Sequence, residues 1–247
     1  MASTSPYSLQ PLIAKLESIA ALSYEERQAI EALPVRVQTL RARQDIAREG
    51  ETPSQCCIML DGWACRYKTL GEGKRQIFSF HIAGDIPDLQ SLHLHTMDHS
   101  LATMTHATVA FIPHQARRDL TYRFPNIAAV LWRDSLVDAA IFREWMICMG
   151  QRPAYVHLAH LFCEMYLKQK SVGLANDYRC ALPVSQIDLA DALGISNVHI
   201  NRVLQALRGE GMIVLNDNTL VIQDWDKLAR IAEFDETYLH LRKRAAG

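Results

Sequence analysis

The chain has 247 residues and a formal net charge of −1, which fits a soluble globular protein of two domains or one large one. The near-neutral balance excludes a whole-protein basic field as the ground for nucleic-acid binding, so any such patch must be local. No apolar run reaches the roughly 18 residues of a membrane span, and no secretion signal is read at the N-terminus, so a cytoplasmic protein is expected, its six cysteines (56, 57, 65, 148, 163, 180) reduced and without a CxxC spacing.

The opening segment carries apolar residues at helical spacing. Ser23 and Glu26 make a capping-box pattern before ERQAIEAL, which predicts a short helical entry followed by a loop. From about Val35 to Pro113 the pattern changes to short runs broken by glycine. CCIMLDGWACRYKTLGEGKRQIFSFHIAGD reads as strand, turn at Asp61 and Gly62, strand, hairpin at Gly71 to Gly73, strand, and turn at Gly84 and Asp85. SLATMTHATVAFIP supplies further strands. Short antiparallel strands with tight turns predict a small barrel or jelly roll. His81, on an apolar strand, reads as a core histidine.

Between these strands lies HLHTMDHS. If it ends a strand, His93 and His95 share a face, since side chains alternate with a period of two. His99 then offers a third nitrogen and Asp98 an oxygen, as in a small metalloenzyme barrel. Polar runs after strands are also the composition of plain loops, and the octet alone leaves both open. The vicinal Cys56 and Cys57 read as a buried strand pair or, alternatively, as a redox switch.

PNIAAVLWRDSLVDAAIFREWMICMG lacks glycine and proline from Asn126 to Met149, long enough to span about 36 Å as a helix. Its apolar positions Ile127, Val130, Val137, Ile141 and Cys148 fall three, four or seven apart, interrupted by Asp134 and Glu144. They fit either a helix packed on its own barrel or a two-chain coiled-coil seam. Gly150 is expected to end the helix and Arg152-Pro153 to begin a hinge. AYVHLAHLFCEMYLKQ follows as a second amphipathic helix, closing near Gly173.

SQIDLADALGISNVHINRVLQALRGEGMIVL carries the most information. Ser185 is an N-cap candidate with Asp188 three residues on. Ala190, Gly194, Ile200 and Val203 fall at the spacings of a helix-turn-helix: a small residue where the helices touch, a glycine in the turn, and two apolar locks. Leu189, Leu193 and Ile195 fill the shared core, and Ser196 caps the second helix. GMIVLNDNTLVIQD then reads as a two-stranded wing turning at Asn216 to Asn218. On the second helix Asn197, Val198, Asn201 and Arg202 share an outward face suited to a major groove. Arginine can grip guanine and asparagine adenine, each in bidentate fashion, and valine can meet a thymine methyl. His199 points to the side, toward a phosphate. No acidic residue lies between Ala192 and Gly209, a local positive patch in a neutral chain.

Barrel, long helix, hinge and winged helix-turn-helix, in that order, resemble the Crp/Fnr superfamily of bacterial transcription regulators. EGKRQIFSFHIAGD is similar to that family's hairpin and third-strand region, and LPVSQIDLADALGISNVHINRVL to its DNA-reading element. The resemblance covers nearly the whole chain and implies an α+β fold. Residues 1–125 would form a jelly-roll-like β-roll for effector sensing with an N-terminal helix, 126–150 a long dimerisation helix, and 151–247 a C-terminal winged helix-turn-helix. The family's phosphate-binding cassette aligns without gaps from Gly84 onward. Where cyclic-nucleotide binding needs a glycine, a glutamate and an arginine, this chain has Asp88, Leu89 and His99, keeping only Ser100. A carboxylate facing a phosphate repels it, and leucine accepts no ribose hydrogen bond, so the effector is expected not to be cyclic AMP. The first 55 residues contain no cysteine for an iron-sulfur cluster. Asp88 and Gln90 replace the haem-ligating cysteine and histidine of the carbon-monoxide branch, so no cofactor is expected.

The expected function is therefore that of a homodimeric, non-enzymatic regulator of a pseudo-palindromic double-stranded DNA operator. Ser185, Ser196, Asn197, Val198, His199, Asn201 and Arg202 would contact DNA, and Asp88, Leu89, His99 and Ser100 would line an effector pocket for an unknown small molecule, if one exists. RNA polymerase is a partner if the protein activates. The alternatives are a metal- or redox-sensing barrel protein and a metal-dependent barrel enzyme using His93, His95 and His99.

Overall fold

The computed structural model describes residues 7–242. It divides into two compact units. One runs to Lys68, resumes over Phe80–Leu136 and includes Arg242, and the other comprises Thr69–Ser79 and Val137–Leu241. The division falls inside the long helix rather than at its start, and it places the hairpin at 69–79 with the second unit.

In the first unit the entry is two helices, α1 (Gln10–Glu17) and α2 (Tyr24–Glu31). The capping box at α2 is present in full. The Ser23 hydroxyl accepts from the Glu26 N–H at 3.2 Å, and the Glu26 carboxylate accepts from the Ser23 N–H at 2.7 Å. Seven strands follow: β1 (Arg36–Leu40), β2 (Asp45–Ala47), β3 (Gln55–Asp61), β4 (Ala64–Thr69), β5 (Arg75–His81), β6 (Ser100–Thr103) and β7 (Ala107–Pro113). They make two sheets, in the orders β1-β7-β3 and β2-β6-β4-β5, the β-roll that the glycine-punctuated runs predict. Gly62 adopts φ +83°, and a Cβ there would lie 2.4 Å from the His106 carbonyl oxygen, so this turn admits only glycine.

Two apolar layers result. Leu40, Cys57, Met59, Ala64, Leu101, Val109 and Phe111 fill the space between the sheets. Cys56, Ile58, Ala110 and Ile112 point to the opposite face, where α1, α2 and the first turns of the long helix cover them. The vicinal cysteines thus belong to different layers, because neighbouring strand residues face opposite ways. Burial pushes both thiols up, Cys56 to about 11.

HLHTMDHS does not end a strand. A 3-10 turn (Leu89–Leu92) passes into bends, leaving His93 and His95 exposed and His99 buried. His81 is buried within 3.4 Å of Asp85.

After α3 (His114–Arg123) the long helix α4 runs Pro125–Gln151, wider at both ends than the glycine- and proline-free stretch. Proline is tolerated in the first turn, where its missing N–H has no partner to lose. Gly150 does not end the helix but lies in its last turn. Pro153 instead precedes α5 (Ala154–Ser171) as its N-cap, and Gly173 (φ +81°) follows that helix's end. Ile127, Val130, Val137, Ile141 and Cys148 are all buried within their own chain, so they form the inward face of α4 and not a seam between chains. A different stripe faces out.

The second unit continues with β8 (Arg179–Ala181), α6 (Gln186–Leu193), α7 (Asn197–Gly209), β9 (Ile213–Asn216), β10 (Thr219–Ile222) and α8 (Trp225–Ile231). Its small sheet has the order β8-β10-β9. The β9–β10 turn holds Asp217 and Asn218 at φ 46° and 60°, the two left-handed positions that a tight hairpin of this hand requires.

Candidate nucleic-acid interface

α6 and α7 are set by local chemistry at each end. At the start of α6 the Ser185 hydroxyl accepts from the Asp188 N–H at 3.2 Å and donates to the Asp188 carboxylate at 2.5 Å. The carboxylate also accepts from the Ser185 N–H at 3.1 Å. Asp188 is buried, and its negative charge is met by Arg75 of β5 at 2.5 Å. The same guanidinium reaches Asp191, one turn on, at 2.7 Å. Arg75 is a feature that sequence reading missed, since its partners lie more than a hundred residues away. At the end of α6, Gly194 takes the left-handed conformation (φ +69°), which turns the chain sharply enough to start a second helix three residues later. The Ser196 hydroxyl then accepts from the His199 N–H at 3.2 Å.

α7 has one buried and one open face. Ile200, Val203, Leu204 and Leu207 are buried, and with Leu189, Ala190 and Leu193 of α6 they form the two-helix core that the spacing anticipates. Asn197, Val198, His199 and Arg202 are exposed, Val198 to 64%. Asn201 is half-buried, its amide donating to the Gln186 side chain of α6 at 3.1 Å. Gln186 is a second residue that sequence reading overlooked. Its place at the first position of α6 gave no signal beyond polarity.

The four pocket candidates in the roll divide into two groups. Asp88 is buried and accepts from the Cys57 N–H at 2.8 Å, and burial pushes its carboxyl up to about 6 against the pull of that bond and of Arg66. Leu89 packs into the helix-side core. His99 meets Asp98 at 2.6 Å and Gln90 at 3.4 Å, and the Ser100 hydroxyl accepts from the Glu49 N–H at 3.1 Å. His93, His95 and His99 are not among the groups of three donors close enough to share an ion; among the described residues such a group occurs elsewhere, at Glu144, Cys148 and His160.

Comparison with known proteins agrees with this architecture. Residues 37–123 match the model of a cyclic nucleotide-binding domain, and residues 156–231 that of a Crp-like helix-turn-helix domain. The chain is 25% identical over 184 residues to the nitrogen fixation regulation protein FixK of Rhizobium meliloti, covering 74% of this chain and 81% of that protein. It is 21% identical over 215 residues to the fumarate and nitrate reduction regulatory protein of Escherichia coli, covering 85% and 84%. The structure of FixK2 from Bradyrhizobium japonicum superposes with a TM-score of 0.73 at 22% identity, over 81% of this chain and 98% of that one. With a cyclic nucleotide-binding domain model and a Crp-like helix-turn-helix model matched in turn along it, the chain belongs to the Crp/Fnr family of transcription regulators.

Proposed function

We propose that two copies of this chain act together in the cytoplasm as a sequence-specific regulator, placing paired α7 helices in successive major grooves of a pseudo-palindromic operator. The observation that carries this reading is the solvent-facing edge Asn197, Val198, His199 and Arg202 on a helix whose other face is locked by Ile200, Val203 and Leu207. Direct reading requires side chains that are rigidly based yet free at their tips. Arg202 serves as the guanine contact, Asn197 as an amide reader, Val198 as the methyl contact, and Ser196 and His199 as phosphate-side groups; Asn201 and Ser185 join them only by giving up their bonds to Gln186 and Asp188.

Pairing is supported by the outward stripe of α4. Trp132, Leu136, Ala139, Arg143, Met146 and Gly150 stand alternately four and three residues apart, and Trp132 and Met146 are 70% and 69% exposed. That alternation is the heptad seam of a two-stranded coiled coil, and so large an apolar stripe is costly to leave in water. The effector, if there is one, is not cyclic AMP, since Asp88 and Leu89 are committed to the fold's interior. RNA polymerase is a partner if the protein activates.

In vitro selection of DNA sites by the purified protein tests the reading. It should return an inverted repeat with half-site centres about one helical turn apart. Arg202→Ala should cost about 1 to 3 kcal/mol at one base position; a variant that discriminates selected from scrambled DNA as well as the unaltered chain does would exclude Arg202 as a reader.

A further inference from the structure

A second convergent set of side chains lies away from the reading edge. Glu144 and Cys148 stand four apart on α4 and therefore on one face, and His160 joins them from α5. A carboxylate oxygen, the Cys148 Sγ and an imidazole nitrogen all lie within 4.8 Å of one another. Tetrahedral bonds of about 2.0–2.3 Å set donors roughly 3.3–3.8 Å apart, so no pair needs to close by more than about 1.5 Å. The His160 Nε2 is already 3.8 Å from Glu144.

We propose that Glu144, Cys148 and His160 bind one divalent transition-metal ion of the zinc type, with water as fourth ligand, at a place that Arg152 holds in the metal-free chain. The guanidinium sits among the donors, its Nη1 2.5 Å from Glu144 and 3.0 Å from the Cys148 sulfur. It does there what an ion would do, neutralising the carboxylate beside a polarisable thiol. Imidazole, thiolate and carboxylate together suit zinc or cobalt better than magnesium or calcium.

Charge and hydrogen bonds balance across the exchange. Before it, the pocket holds a carboxylate, a thiol and a guanidinium. After it, the pocket holds a carboxylate, a thiolate and a dication, the Cys148 proton having gone to solvent and the arginine having moved out, and the sum is zero both times. The thiol starts protonated, as an unligated cysteine is at neutral pH, and binds the metal as thiolate. Arg152 has a second partner toward the surface, Glu233, 3.5 Å from its Nε. The ring is already oriented for ligation, with Nδ1 3.3 Å from the Ala232 carbonyl, the kind of contact that fixes the tautomer of a metal-binding histidine. Tyr238, 3.0 Å from Nε2, also reaches Glu164 at 2.7 Å, so it keeps a partner when Nε2 turns to the ion.

The site straddles the Arg152-Pro153 connection, so an ion would pin the end of α4 to α5, the helix on which the reading unit is built. The test uses the full chain, stripped with a chelator and titrated with Co(II). A thiolate-to-cobalt charge-transfer band should saturate at one equivalent per chain and disappear on addition of Zn(II). One proton should be released per ion bound. Cys148→Ser should abolish the band and weaken binding by about tenfold or more, and His93→Ala with His95→Ala should change neither. Arg152→Gln, which removes the competing cation, should tighten binding. No band, a band that survives Cys148→Ser, loss of binding in the His93/His95 variant, or weaker binding by an Arg152→Gln protein of unchanged melting temperature would each overturn the site.

Discussion

Asp88 and His157 show how single buried groups set the response of this protein to pH, with opposite signs. Burial holds the Asp88 carboxyl near 6, so between about pH 4 and 6 the folded chain binds more protons than the unfolded one, and stability falls as pH rises through that window. Asp88→Asn keeps an acceptor for the Cys57 N–H and removes the buried charge. It should raise stability at pH 8 by roughly 3 kcal/mol and leave it little changed at pH 4, as denaturant titrations at the two values would show. His157, packed edge-on to Trp145, is pushed down to about 4 by burial, with His160 and Arg152 adding to the effect. As pH falls from 6.5 to 4 the unfolded chain takes up a proton that the folded one refuses, and stability is lost. His157→Gln should flatten that acid limb by roughly 3 kcal/mol, measured from melting curves across the range. Neither shift could be read from the sequence, where Asp88 counted only as a cassette position and His157 lies in a segment read simply as an amphipathic helix.

At the level of elements, what was legible is what local chemistry decides. The capping boxes at Ser23 and Ser185, the left-handed Gly194 and the wing turn at Asp217 and Asn218 all depend on residues within four positions of one another. Ser196→Ala should cost about 1 kcal/mol of stability by removing an N-cap, and should weaken operator binding more than a Ser171→Ala control, because α7 begins at the base of the proposed reading edge. The α4 faces were not legible: the helix is apolar on two sides, and the inward positions Val130, Val137 and Ile141 follow the same spacing rule as the outward ones. Only burial separates them. The histidine octet by itself leaves a strand end and a loop both open; β5 stops at His81, and the 3-10 turn Leu89–Leu92 that leads into the octet carries no sequence mark.

For the whole molecule, the outward stripe of α4 is the surface on which the proposed pairing rests. Leu136→Glu and Met146→Glu together place charges in the apolar seam without touching the inward core. The variant should keep its secondary structure by circular dichroism, sediment as a monomer, and lose most of its affinity for a two-half-site duplex while binding a single half-site as before. A variant that still sediments as a dimer would move the pairing surface elsewhere. The fold order was legible because each segment carries its own periodicity, whereas the split of the roll into two sheets depends on strand pairings distant in the chain, such as Leu40 with Ala107 and Asp45 with Ala102. The back-to-back placement of Cys56 and Cys57 makes the β3 strand a natural two-channel reporter. A thiol reagent can reach one sulfur only by lifting the helical cap and the other only by parting the sheets, so peptide-resolved labelling rates at these adjacent residues would time those two openings separately within a single experiment.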